Sequence, residues 1–254
     1  MKSIEKYKFS GLTIKIKQDT DPSNPRKEFD NVGTLVCWHR NYELGDEPEF
    51  GGGRRGLPSL DAGEYRLAMA EVYDPGISDW TDTAMSRLWD KAQAASSSSI
   101  GVLTDAEMRA YELAELELRQ RVGERVQRVL DTHYIVLPVY LYDHSGLAMR
   151  VADFGDRWDS GQVGFIYCTR EKALREWGNG GLVLSKKRRQ QAVTYLTGEI
   201  ETYHEYLSGQ VYGYEIKRKG EGVIDSCWGF YGGVDYVKTE AEAAAACLVE
   251  TVEA

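Results

Sequence analysis

The chain has 254 residues, of which 42% are hydrophobic and 28% charged, enough apolar matter for a buried core and too much for disorder to be its main description. Its 40 acidic and 31 basic side chains leave a net charge of −9, which repels phosphate backbones and argues against general nucleic-acid binding, although a local basic patch stays compatible with it. No run approaches the roughly 18 to 20 apolar residues of a membrane span, and the opening MKSIEKYKFSGLTIKIKQ mixes charged and apolar residues, so neither a signal peptide nor a membrane location is expected and a cytoplasmic protein is.

Tyr7, Phe9, Leu12, Ile14 and Ile16 alternate with polar residues, so Tyr7 to Gln18 predicts a half-buried strand with a slip near Gly11. Asp19 to Asn31 holds two prolines and several Asx and Ser residues and reads as a loop, before Thr34 to Trp38 forms a second strand. Gly51 to Gly53, followed by Arg54, Arg55 and Gly56, reads as a flexible connection. From 60 to 131 the composition shifts to Ala, Glu, Arg and Leu, which predicts a helical insertion. Helices are expected over Leu60–Tyr73 and Thr81–Ala94, and a capping box of Thr104 and Glu107 opens a long one reaching about Leu130. Met108, Tyr111, Leu118, Val122, Val126 and Val129 share a face of that helix, and this stripe must pack on the chain's own sheet or on a second copy, as a homodimer.

Tyr134 to Tyr142, rich in β-branched and aromatic residues, is the most strand-like segment, although Pro138 lies within it. Asp143 to Gly146 predicts a hairpin turn into Leu147–Val151, and Val163 to Cys168 a further strand. Thr169 and Ser185 are candidate N-caps of two helices stopped by Gly178 and Gly209. Val211–Ile216 and Val223–Phe230 form a second hairpin, and Thr239 opens a closing alanine-rich helix. The sum is a single α+β domain over 1–254, a mainly antiparallel sheet of about six or seven strands covered by helices, with 60–131 inserted.

Chemistry-bearing residues concentrate in two places. Arg157, Trp158, Asp159 and Gln162 gather a cation, an indole, a carboxylate and an amide in one loop able to hold a polar ligand; the structural alternative has Trp158 anchoring the loop in the core. Asp225 to Gly232 would place Asp225 and Cys227 on one strand face and Trp228 on the other. Cys227 becomes a nucleophile only with a base such as His144 in reach, and Asp143 with His144 could act as an acid/base pair at a turn, where Asx residues are also ordinary turn formers. Cys37, Cys168, Cys227 and Cys247 form no CxxC pair, so no zinc module or disulfide framework is encoded. Asp19, Asp21, Ser23 and Asp30 imitate a calcium loop, but Asn24 replaces its glycine and two prolines intrude, so no metal and no cofactor is expected. Lys186 to Arg189 is the only compact basic run, and the GxxxxGK[ST], GxSxG and HExxH signatures are absent, which weighs against an enzyme.

The blocks HYIVLPVYLYDHSG, RWDSGQVGFIYCT, ETYHEYLSGQVYGYEI and DSCWGFYG, with DNVGTLVCWHRNYELGD near the start, resemble a widespread family of uncharacterised proteins carried by bacteriophages and mobile elements. The resemblance implies an origin and a place in the cytoplasm of a host cell, and it carries no catalytic residues over. The first expectation is a non-enzymatic accessory protein that binds and inhibits or sequesters a host component, a host protein or a small nucleotide ligand, within anti-phage defence. The alternatives are a small hydrolase or transferase with a cleft of Asp143, His144, Asp159, Gln162, Asp225 and Cys227, and a virion structural or assembly protein. The first turns on the segments around Trp158 and Trp228 sharing one sheet.

Overall fold

The computed structural model describes residues 3–51, 60–97, 102–178 and 183–253, without the side chains of 250–253. Its elements run β1 (Ser3–Phe9), β2 (Leu12–Gln18), α1 (Pro25–Glu28), β3 (Thr34–Cys37), α2 (Ala62–Glu71), α3 (Ile77–Ala94), α4 (Asp105–His133), β4 (Tyr134–Asp143), β5 (Leu147–Arg150), β6 (Ser160–Thr169), α5 (Arg170–Trp177), α6 (Lys186–Ser208), β7 (Tyr212–Arg218), β8 (Gly222–Phe230) and α7 (Gly233–Glu253). The fold is α+β as the sequence predicts, with the described strands shared between two antiparallel four-stranded sheets, β1-β2-β7-β8 and β3-β6-β4-β5. The expected connection beyond Gly51, Gly52 to Gly56, lies outside the described residues. Two compact units divide the chain: Met1–Gly33 with Pro138–Val163 and Val193–Ala254, and Thr34–Leu137 with Gly164–Ala192.

In the first unit one sheet is covered by one helix. Leu12, Ile14 and Ile16 of β2 and Tyr214 and Ile216 of β7 alternate onto a single face, where they are buried with Val237, Ala241 and Ala245 of α7. Those three recur every fourth residue, and the two alanines let the helix lie close to the sheet. The single strand expected over Tyr7–Gln18 is instead a hairpin, because Ser10 (φ 46°) and Gly11 (φ 82°) both take the left-handed conformation of a two-residue turn. The expected loop over Asp19–Asn31 contains α1, whose start is capped by the Asn24 side chain accepting from the Arg26 amide at 2.9 Å. The closing helix begins at Gly233, not at Thr239; the Thr239 hydroxyl donates to the Asp235 carbonyl at 3.1 Å, the back-bond of a threonine already inside a helix.

The second unit packs α2, α3 and α4 around an aromatic core. Tyr65 and Met69 of α2, Ile77 of α3, Val126 and Leu130 of α4, Tyr134 of β4 and Phe165 and Tyr167 of β6 are buried together. The apolar stripe of α4 therefore meets α2, α3 and strands of its own chain. Strand β3 pairs with β6 in the register Thr34↔Tyr167 to Cys37↔Gly164, and a Cβ on Gly164 would lie 1.9 Å from the Val36 carbonyl oxygen, so only glycine admits this approach.

The capping box of α4 has a pH signature. Glu107 accepts from the amides of Thr104 and Ser97, each at 2.8 Å, and from the Thr104 hydroxyl at 2.9 Å. These donors, the Thr104 amide foremost, hold its carboxyl at about 2. A carboxylate depressed by folding adds stability that is complete above its unfolded value and lost as pH falls through the folded one. The start of α4 should therefore loosen between pH 4.5 and about 2. Amide resonances of Ser97 and Thr104 should titrate in that window and stop doing so in Glu107→Gln.

Candidate functional site

The loop that feeds β6 is built by its acidic side chains. Asp156 Oδ1 accepts from the Trp158 amide at 2.8 Å and the Asp159 amide at 3.2 Å, and these two donors, in that order, lower its pKa. Ser160 Oγ donates back to the Asp156 carbonyl at 2.5 Å, closing the turn. Just upstream, Asp153 Oδ1 accepts from the Gly155 amide at 3.0 Å, where Gly155 (φ 72°) supplies a positive backbone angle, and the Arg150 guanidinium lies 3.9 Å from the centre of the Phe154 ring. The result is an ordered turn whose tip is Arg157 and Trp158.

Trp158 is 94% exposed, which overturns the reading that it anchors the loop in the core. Its backbone needs no apolar anchor because Asp156 already fixes it. Arg157 is exposed beside it. Three predicted residues come together behind them: His144 Nδ1 lies 3.1 Å from Asp159 Oδ2, and the Asp143 amide donates to the Asp159 carbonyl at 2.8 Å. That pair can pass a proton between imidazole and carboxylate, but both side chains are open to water, which weakens their coupling. Gln162 follows on the exposed start of β6.

The second predicted cluster lies elsewhere. Trp228 belongs to β8 of the first sheet, whereas Trp158 precedes β6 of the second, so the two tryptophan segments do not share a sheet. The Trp228 ring lies over Gly213 of β7, where a Cβ would sit 2.3 Å from ring atom Cε3. Asp225 is tied locally, Oδ1 accepting from the Ser226 amide at 2.9 Å and Oδ2 from the Tyr214 hydroxyl at 3.5 Å. Cys227 is exposed, with its Sγ 3.9 Å from the Trp228 carbonyl oxygen, while His144 is engaged with Asp159. Alternation and turn chemistry locate these residues in the sequence, whereas which of them meet is decided by strand pairing between distant segments. Asp156, the organiser of the turn, was missed although Asp-x-Trp-Asp is a legible side-chain-capped turn.

A groove of about 590 Å³ in the second unit, between α2, α3 and α4, is floored by Leu67, Met85, Val122 and Val126 and lined also by Arg66 and Arg119. None of the predicted site residues lines it. Among the described residues no group of three or more His, Cys, Asp or Glu could hold a metal ion, and no helix is long and apolar enough to cross a membrane. Comparison with protein families, with curated proteins and with solved structures finds no match to this chain.

Proposed function

We propose that this chain is a non-enzymatic accessory protein of a phage or mobile element that binds and inhibits or sequesters a host component, with the Arg157–Trp158 turn as its contact. The shared sheet expected of the Trp158 and Trp228 segments is absent, so the reading rests on Trp158 alone and one observation carries it: an indole held almost wholly in water by an ordered turn. An exposed tryptophan forgoes burial worth about 2 kcal/mol, and a rigid aromatic beside an arginine is the composition of an interface hot spot. Asp156 prepays the ordering of the turn, which lowers the entropic cost of binding.

The test is capture from host lysate by the full chain, run beside a nucleotide-binding screen, followed by titration of whatever is captured. Trp158→Ala is expected to weaken that binding by about 30-fold, the signature of a hot spot near 2 kcal/mol. Unaltered affinity, or no saturable partner in either assay, counts against the reading.

A second reading, a small hydrolase or transferase, is favoured only by the 3.1 Å contact of His144 with Asp159. It requires turnover that His144→Ala abolishes, and turnover unchanged by that substitution removes it.

A further inference from the structure

The face of the first sheet turned away from α7 differs in charge from the rest of the chain. Lys6 stands directly opposite Lys15, Lys15 opposite Glu215, and Lys8 and Lys217 both opposite Thr13. Tyr7, Ile14, Ile16 and Ile216 point into the α7 core, and alternate residues of a strand share a face. Lys6, Lys8, Lys15, Lys17 and Lys217 therefore all occupy the opposite one. Glu215 is the one acid among the described strand residues of that face, and it is already engaged by Lys17 and, at 3.4 Å, by Lys217. Lys6, Lys8 and Lys15 have no carboxylate partner among the described residues. Trp228 packs on the same face against Gly213, the residue opposite Lys17.

Protection of a sheet edge explains only part of this. β1 is an edge strand, and Lys6 and Lys8 there discourage strand-on-strand association. Lys15, Lys17 and Lys217 lie on the interior strands β2 and β7, where no edge needs guarding. Like charges placed directly opposite, as Lys6 and Lys15 are, destabilise a sheet. Five lysines on one face of a chain with net charge −9 form a local field opposite in sign to the whole.

We propose that this face binds single-stranded nucleic acid. Successive lysines on this face of one strand have backbones about 6.8 Å apart and those on neighbouring strands about 4.8 Å, a spacing from which their flexible stems reach successive phosphates, while Trp228 offers a flat surface for one base. A duplex presents base edges in its grooves and leaves such a platform unused, and an acidic protein would match the charge but has no base to stack. This site goes beyond the Trp158 contact and lies on the other sheet.

Fluorescence anisotropy of labelled thymidine and uridine oligomers of about 12 nucleotides with the full chain tests it. Binding should be saturable at about 50 mM salt and fall with a log–log salt slope of about −2 to −3, the release expected when Lys6, Lys8, Lys15 and at most Lys217 meet a single strand. Lys6→Gln with Lys15→Gln should weaken it at least about tenfold and flatten the slope by about 1.4, with an unchanged circular dichroism spectrum. Trp228→Leu should weaken it about fivefold or more. Trp158→Ala should leave it unchanged, which separates this proposal from the host-partner contact. Absence of binding at low salt, a slope indifferent to Lys6 and Lys15, loss on neutralising Lys186 to Arg189 instead, or equal competition by polyglutamate would each overturn it, the last in favour of an acidic protein partner.

Discussion

Replacing Glu199 by alanine is expected to cost about 3 to 5 kcal/mol of stability, read as a lower urea midpoint at unchanged slope. The residue lies on α6 and neutralises Arg26, one of the most buried charged side chains, at 7% exposure. Its Oε2 accepts from Arg26 Nη1 at 2.8 Å, and its Oε1 from the amides of Val32 at 2.7 Å and Gly33 at 3.1 Å. The guanidinium in turn reaches the Gly33 carbonyl at 2.7 Å and Asn31 Oδ1 at 3.2 Å. One carboxylate thus fixes the end of the segment between β2 and β3, and its loss strands a buried cation together with two backbone amides. Replacing both partners, Arg26→Met with Glu199→Leu, should recover much of the loss, because a buried ion pair repays little more than its own desolvation. A single Glu199→Ala within about 1 kcal/mol of wild type would show that water reaches the guanidinium and stands in for the carboxylate.

That pair also marks where the sequence stops being legible. Thr104 with Glu107 announced the start of α4 because both halves of a capping box lie within one turn. Thr169 likewise caps α5, its side-chain oxygen accepting from the Lys172 amide at 3.1 Å. Arg26 and Glu199 lie on distant segments, and nothing local to either distinguishes it from a solvated surface charge. The lysines of the first sheet are hidden for a different reason. Their spacing of two in β1 and β2 interleaves them with apolar residues, so no compact basic run forms, and Lys217 joins them only through the pairing of β7 with β2. At the candidate site the turn residues themselves were readable from Asp, Ser and Gly, whereas the direction in which Trp158 points depends on Asp156 having already satisfied the backbone. An apolar side chain is assigned to the core by default; here the polar capping that frees it was the decisive local signal.

The second large effect is expected at Tyr167, on β6 in the second unit. Its hydroxyl donates to Glu49 Oε2 at 2.9 Å and lies 3.1 Å from the Tyr65 hydroxyl, which itself accepts from the Glu49 amide at 3.2 Å. Glu49 thereby ties the segment after β3 to α2 and β6 through two phenols, while the rings of Tyr65, Tyr134 and Phe165 pack edge-on or tilted around Tyr167. Tyr167→Ala removes both the ring and the hydroxyl and should cost about 3 to 5 kcal/mol, because surrounding aromatic side chains cannot collapse fully into the void. Tyr167→Phe keeps the packing and removes only the donor, so about 1 to 2 kcal/mol is expected. The difference between the two variants in urea unfolding measures what the ring contributes; equal losses would mean that the hydroxyl chain alone holds this part of the core. Burial, more than the Tyr65 contact, raises the pKa of the phenol above its ordinary value of 10. A group whose folded pKa is raised stabilises fully below its unfolded value and loses that contribution as pH rises beyond it. Alkaline unfolding should therefore set in above pH 10, and the phenolate absorbance of Tyr167 should emerge only together with loss of the near-ultraviolet dichroism of the aromatic core. Phenolate formation in a chain that keeps that dichroism would place the hydroxyl in water and remove the basis for the Tyr167→Phe cost.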